Sequence, residues 1–213
     1  MTYSVKEIYV TMQGEGMNTG RAAVFCRFTG CNLWSGLEPD RAAAICNFCD
    51  TEFVGTDGPG GGKFQTAGDL AAAVSACWST QIEPQADPLV VCTGGEPLLQ
   101  LDESLIAAFH KRGFTVAIET NGTISSPSSV DWICVSPKAQ TDLKQVTGNE
   151  LKLVYPQNGV EPEQFEHLQF DHFLLQPMDN ANHPLNTQQA LAYCRANPKW
   201  QLSIQTHKYL GLP

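Results

Sequence analysis

The stretch 89-LVVCTGGEPLLQ-100 decides the fold. Its first half is an unbroken apolar run, the pattern of a parallel strand buried on both faces rather than the alternation of a half-solvated one. Its second half, Thr93-Gly94-Gly95-Glu96-Pro97, ends that strand abruptly. Two adjacent glycines at the C-terminal end of a buried strand let the backbone come close to a ligand, and ligands of parallel α/β folds bind at that end. An ordinary βα turn reads the same way, so the surroundings must decide.

The strand read here over 88-93 has companions at 22-28, 115-119, 131-136, 151-155, 172-176 and 200-206. Helical patterns fall near 67-79, 101-112, 161-168 and 186-196, with Gly113 placed as a helix stop and Asn186 or Thr187 as a start. Strands alternating with helices predict an α/β fold, and 213 residues with evenly spread apolar positions predict one domain over 1-213. The segment 55-GTDGPGGGKF-64 is a loop by composition. It is no phosphate-binding loop, because Asp57 stands where the first glycine is required and Phe64 where the hydroxyl is required.

Acidic residues outnumber basic ones 22 to 13, a formal charge of -9, which argues against a phosphate-tracking nucleic-acid surface and for a small-molecule or protein partner. The start MTYSVKEIYV has neither a basic n-region nor an apolar h-region, and no run of about 18 apolar residues follows. A cytoplasmic protein away from the membrane is expected. Eight cysteines in such a chain read first as metal-binding or catalytic.

Three of them, Cys31, Cys46 and Cys49, crowd into 31-CNLWSGLEPDRAAAICNFC-49. Cys77, Cys92, Cys134 and Cys194 lie in strand-like or alanine-rich helical patterns and read as small core residues. Alternation in AAVFCRFT puts Val24, Cys26 and Phe28 on one face and Phe25, Arg27 and Thr29 on the other, so Cys26 turns away from whatever Arg27 serves. A closed zinc site needs four ligands, and none of the five histidines has H-x(3-5)-H spacing. A cubane iron-sulfur cluster normally takes four thiolates, so three would leave one iron open. Cysteine count alone leaves both readings standing.

Taken with the cysteines, Gly94-Gly95-Glu96-Pro97 resembles the GGEP element of the radical S-adenosylmethionine superfamily. In that superfamily three cysteines hold a [4Fe-4S] cluster and the amino and carboxylate groups of S-adenosylmethionine take the fourth iron. The usual spacing is C-x3-C-x2-C; here the first gap is 14 residues, an insertion at 32-45. Loop ends need only meet in space, and each doubling of loop length costs about 0.6 kcal/mol.

Further along, 11-TMQGEG-16, Arg27 in FCRFTGCNL, CDT at 49-51, SPK at 136-138, LKLV at 151-154, LQPMD at 175-179 and the final THKYLGLP together resemble the 7-carboxy-7-deazaguanine synthase family over nearly the whole chain. The resemblance implies an incomplete TIM-like barrel of about six mainly parallel strands with few helices, acting as a homodimer. It implies conversion of 6-carboxy-5,6,7,8-tetrahydropterin to 7-carboxy-7-deazaguanine with loss of ammonia, on the route to queuosine and other 7-deazapurines. Cys31, Cys46 and Cys49 would ligate iron and Thr51 a magnesium ion. Phe48, Cys49, Asp50, Gly95, Ser136, Pro137, Lys138, Gln176, Pro177, Met178 and Asp179 would bind S-adenosylmethionine. Met12, Gln13, Gly14, Glu15, Arg27, Thr93 and Pro213 would bind the pterin, with Arg27 suited to grip a carboxylate through two parallel hydrogen bonds. A flavodoxin-type protein would donate the electron. Two other readings remain at this point: a glycyl-radical-enzyme activase, which leaves TMQGEG and THKYLGLP without a purpose, and a non-catalytic zinc-binding module.

Overall fold

The computed structural model describes residues 2-83 and 86-213. Nine strands form one open sheet in the order β3-β1-β2-β4-β5-β6-β7-β8-β9. From β2 (Ala22–Phe28) through β4 (Leu89–Gly94), β5 (Thr115–Thr120), β6 (Trp132–Val135), β7 (Thr147–Tyr155) and β8 (Gln169–Pro177) to β9 (Trp200–Leu202), every neighbouring pair is parallel. The remaining two, β1 (Tyr3–Met12) and β3 (Gly62–Phe64), are antiparallel additions at the edge beside β2. The mainly parallel, helix-poor architecture is the expected one, extended beyond about six strands by β1, β3 and the short β9.

Both faces of the central strands are buried, for two different purposes. On β4, Val90 and Cys92 pack with Val24, Cys26 and Phe28 of β2 and with Val116 and Ile118 of β5 against the helices α1 (Ala67–Ser79) and α2 (Glu103–His110). Thr66 caps α1 by accepting from the Asp69 amide, and Leu70, Val74 and Trp78 recur at helical spacing on its buried side. Leu89 and Val91 face the opposite way with Ala23, Ala117 and Phe25, and on that face Arg27 and Thr93 stand opposite each other in register. A second core under α3 (His183–Ala196) gathers Leu151, Leu153, Phe173, Leu175 and Trp200 from β7, β8 and β9.

Several boundaries depart from the sequence reading. The strand expected over 200-206 stops at Leu202; Ser203 donates its amide to Leu175 O, and the chain then crosses to the sheet's C-terminal end, where Thr206 opens α4 (Thr206–Leu210). The helix near 161-168 is one 3-10 turn at Pro162–Phe165. Helix α3 begins at His183, ahead of Asn186, which is buried and donates to Met178 O at 2.8 Å and Asn180 Oδ1 at 3.1 Å. Within the glycine-rich loop, Gly62–Phe64 pair with Tyr3–Val5 as β3.

Candidate active site

The C-terminal ends of the parallel strands enclose a cavity of about 370 Å³, and all three clustered cysteines line it. The 32-45 insertion folds back on the segment that follows the C-x-x-C turn. Trp34 packs edge-on against Phe53 with ring centroids 5.6 Å apart, and the Arg41 guanidinium lies 4.1 Å from the Trp34 ring. Arg41 then donates through Nη1 to Asn47 O at 3.1 Å and Cys49 O at 2.9 Å, drawing the C-x-x-C turn back over the loop's start. The Cys46 thiol is hydrogen-bonded to Cys49, which pushes Cys46 up and brings Cys49 down to about 6. Burial raises Cys31, partly offset by hydrogen bonds to its sulfur from the Leu33 and Trp34 amides.

The GGEP turn is seated against this loop by close backbone contact. A Cβ at Gly95 would lie 2.1 Å from Gly30 O and 2.7 Å from Cys31 Cβ, and one at Gly94 would lie 2.2 Å from Phe28 O. Glu96, fully buried, fixes the turn: Oε1 accepts from Leu98 N at 3.0 Å and Thr120 Oγ1 at 2.8 Å, and Oε2 accepts from Asn121 N at 2.8 Å. The Glu96 amide donates to Gly30 O at 2.9 Å, so β4, β5 and the segment leading to Cys31 move as one.

A multi-iron cluster fits these residues better than a single metal ion does. Three thiols line one cavity with the GGEP turn, His207 enters it from the C-terminal segment where its ring rests on Gly14, and among the described residues no group of three or more His, Cys, Asp or Glu side chains closes on a point to chelate one ion. A cubane assigns each thiolate its own iron and needs the sulfurs spread apart.

Ser136, Lys138, Gln176, Pro177, Met178 and Asp179 reach the cavity from the ends of β6 and β8. Pro137 does not line it; it is buried behind, its carbonyl accepting from Gln157 Nε2 at 3.3 Å. Lys138 Nζ donates to Ser136 O and Oγ at 2.6 Å each, and burial lowers its pKa against the opposing pull of Cys46 and Cys49. Met12 to Glu15, Arg27, Thr93 and Pro213 line the same cavity, as do Phe48, Asp50 and Thr51 of the cysteine loop.

Groups outside the motif-based list also face the cavity. Lys152, in the LKLV strand, donates to Glu15 Oε2 at 2.7 Å and Glu119 Oε2 at 2.8 Å. A cation within the apolar run LKLV is the signal that could have marked it. Gln205, His207 and Lys208 come from the C-terminal segment: Gln205 Nε2 donates to Glu15 Oε1 at 2.8 Å, and Lys208 Nζ bridges Asp50 at 2.7 Å and Asp179 at 2.5 Å. The His207 ring rests against Gly14, where a Cβ would come within 2.2 Å of Nδ1.

Burial alone would raise the Glu15 carboxyl, but the charge and hydrogen bond of Lys152, the Gln205 hydrogen bond and the charge of His207 outweigh it and bring Glu15 down to about 2. A carboxyl depressed below its free value of 4.5 stabilises the fold above that pH, and the contribution fades as pH falls towards 2. It amounts to about 3 kcal/mol. Wild-type protein is therefore expected to lose more stability than Glu15→Gln when acidified from about pH 5 to about pH 3, as read by anaerobic melting curves; parallel losses would contradict this.

No family model matches the chain. It is 64% identical to the 7-carboxy-7-deazaguanine synthase of Caulobacter vibrioides and 61% identical to that of Bordetella pertussis, in each case over 213 residues and 100% of both chains. The crystal structure of QueE from Escherichia coli matches with a TM-score of 0.71 at 27% identity, covering 97% of this chain and 95% of that one. Full-length identity at this level, with the clustered cysteines and the GGEP turn meeting in one cavity, places the chain in the 7-carboxy-7-deazaguanine synthase family.

Proposed function

We propose that this chain, as a single radical S-adenosylmethionine domain, converts 6-carboxy-5,6,7,8-tetrahydropterin to 7-carboxy-7-deazaguanine with ring contraction and release of ammonia. The observation that carries the reading is the convergence of Cys31, Cys46, Cys49 and Gly95 with Arg27 and Glu15 around one cavity. Members of the family use S-adenosylmethionine and an iron-sulfur cluster. When bound, these supply the one-electron chemistry that yields a 5′-deoxyadenosyl radical.

The chain's own residues would divide the remaining work. Cys31, Cys46 and Cys49 would hold the cluster, and the bare Gly95 backbone would leave room for the methionine end of the cofactor. Phe48 to Asp50, Ser136, Lys138 and Gln176 to Asp179 would surround its nucleoside end, with Pro137 acting from behind by shaping the Ser136–Lys138 turn. Arg27 would grip the pterin carboxylate, and Met12 to Glu15, Thr93 and Pro213 would hold the ring. Glu15, kept ionised by Lys152, can only accept hydrogen bonds, which suits a ring edge rich in N–H groups.

Thr51 would supply one oxygen to a magnesium ion completed by water and substrate, since magnesium takes few protein ligands when phosphate or carboxylate is present. Activity is expected to fall at least about tenfold in magnesium-free, EDTA-treated buffer and to return on adding Mg²⁺; unchanged turnover would remove the ion from the reading. A cytoplasmic homodimer served by a flavodoxin-type donor belongs to the same proposal. Among the described residues, no helix is long and apolar enough to cross a membrane.

The test is anaerobic incubation of the reconstituted protein with the carboxylated pterin, S-adenosylmethionine and a reductant. Mass spectrometry is expected to detect the deazaguanine acid and stoichiometric ammonia. Cofactor cleavage only on addition of a glycyl-radical protein, with the pterin untouched, would favour the activase instead.

A further inference from the structure

Strand β1 contains an irregularity that changes which residues face the cavity. Its register with β2 shifts between Val5 and Glu7. Tyr3 and Val5 point into the helix-side core, and strict alternation would send Glu7 and Tyr9 after them. Beyond the shift, Ile8 joins the core with Val10 packed against it, and Glu7 and Tyr9 face the cavity. A bulge re-aims side chains in this way and is found beside binding sites.

Both re-aimed side chains hold Arg27. Glu7 is its cross-strand partner, and Glu7 Oε1 accepts from Arg27 Nε at 2.7 Å. The Tyr9 hydroxyl accepts from Arg27 Nη2 at 2.8 Å, and Tyr9 itself is stacked on Phe25 with ring centroids 5.6 Å apart. The Arg27 and Glu7 side chains are only 16% and 23% exposed. A guanidinium carries five N–H donors. Glu7 and Tyr9 take two of them, which leaves the Nη1 donors and the rest of Nη2 for a bidentate partner from the cavity.

We infer that Glu7 and Tyr9 are positioning residues that lock the Arg27 guanidinium so that its open Nη edge meets the substrate's carboxylate. This deepens the proposed function and rests on its assignment of Arg27 to the pterin carboxylate. Without Glu7 the guanidinium is free to rotate about its last side-chain bonds, and binding must then order it. Glutamine keeps an oxygen acceptor for Nε, so orientation survives the loss of charge.

The experiment uses the anaerobically reconstituted enzyme and two pterins: the carboxylated substrate, followed by KM and kcat, and the same tetrahydropterin lacking the carboxylate, followed as a competitive inhibitor. Glu7→Ala is expected to raise KM for the substrate at least tenfold, with kcat changed less than threefold and the Ki of the decarboxylated pterin unchanged. Glu7→Gln should stay within about threefold of wild type on both, as rescue by an oriented acceptor implies. Tyr9→Phe, which keeps the stacking on Phe25, should raise KM about threefold to tenfold with the same selectivity. Should Glu7→Ala not fold, Tyr9→Phe decides by itself. Equal weakening of both pterins, an unaffected KM, or Glu7→Gln as impaired as Glu7→Ala overturns the inference. If Arg27→Ala fails to separate the two pterins, the parent assignment falls with it; if Arg27→Ala separates them and Glu7→Ala does not, only the positioning role falls.

Discussion

Gly95→Ala is expected to lower turnover about 100-fold or more while leaving the protein folded, because roughly 1 Å of displacement at a reacting centre is enough for that loss. The added methyl would sit 2.1 Å from Gly30 O and 2.7 Å from Cys31 Cβ. Neither atom belongs to a flexible side-chain end that could swing aside. The GGEP turn and the Cys31 segment must separate, yet Glu96 ties that turn to Thr120 and Asn121 and its own amide to Gly30. Strain therefore falls on the cysteine geometry and on the space proposed for the cofactor's methionine end. Anaerobic assays of 5′-deoxyadenosine release and of S-adenosylmethionine binding should both show the loss, with the far-ultraviolet circular dichroism unchanged. Cofactor cleavage within threefold of wild type would show that the close approach has no functional meaning.

The second large effect is on stability. Lys152 is 5% exposed at its side chain and lies between Glu15 and Glu119. Burial by itself would lower its pKa, but the acids around it hold it well above the ordinary lysine value. Lys152→Met fills a similar volume and strands two carboxylates facing each other, a change that costs about 3 to 5 kcal/mol. For a chain of this size that corresponds to a melting point lower by roughly 6 °C or more. The sign of the pH response should also change. With Lys152 gone, burial dominates at Glu15, its pKa rises above 4.5, and acidification from about pH 7 to about pH 5 stabilises the variant. In wild type Glu15 stays ionised over the same interval and contributes no such gain, so the variant should gain more than wild type does. A variant as stable as wild type at neutral pH, or one further destabilised by mild acid, would contradict this placement of charge.

The parallel strands were readable because burial on both faces leaves uninterrupted apolar runs, as LVVC and TVAI do. β1 was not readable: its bulge breaks the alternation, and YSVKEIYV mixes Lys6, Glu7 and Tyr9 into what periodicity needs to be regular. All three serve the site or its support, with Glu7 and Tyr9 on Arg27 and Lys6 paired with Glu52 and Asp57. β3 was hidden by glycines, whose lack of side chain leaves no pattern to read; at Gly61 a Cβ would come within 2.1 Å of Lys6 O. At the site, short motifs located the residues near the strand ends, from Gly95 to Asp179. They could not reveal ion pairs that close over long separations, such as Lys152 with Glu15 or Lys208 with Asp50, because nothing local in the sequence specifies them.

The 14-residue gap between Cys31 and Cys46 shows the same division. Sequence could say only that its ends are able to meet. The Trp34, Phe53 and Arg41 cluster shows how they do, with a cation on an aromatic face and carbonyls of the second cysteine turn as its partners. The cation on the ring face and the two carbonyl hydrogen bonds together tie the C-x-x-C turn to the start of the loop.

Electron paramagnetic resonance of the reduced, anaerobically reconstituted protein, recorded with and without S-adenosylmethionine, bears most directly on the three-thiolate centre. A cluster held only by Cys31, Cys46 and Cys49 has an iron open to the added sulfonium compound, and its g-values should shift when that compound binds. Superimposable spectra from a fully loaded sample would mean that the protein already supplies a fourth ligand, which three cysteines facing a glycine turn cannot provide.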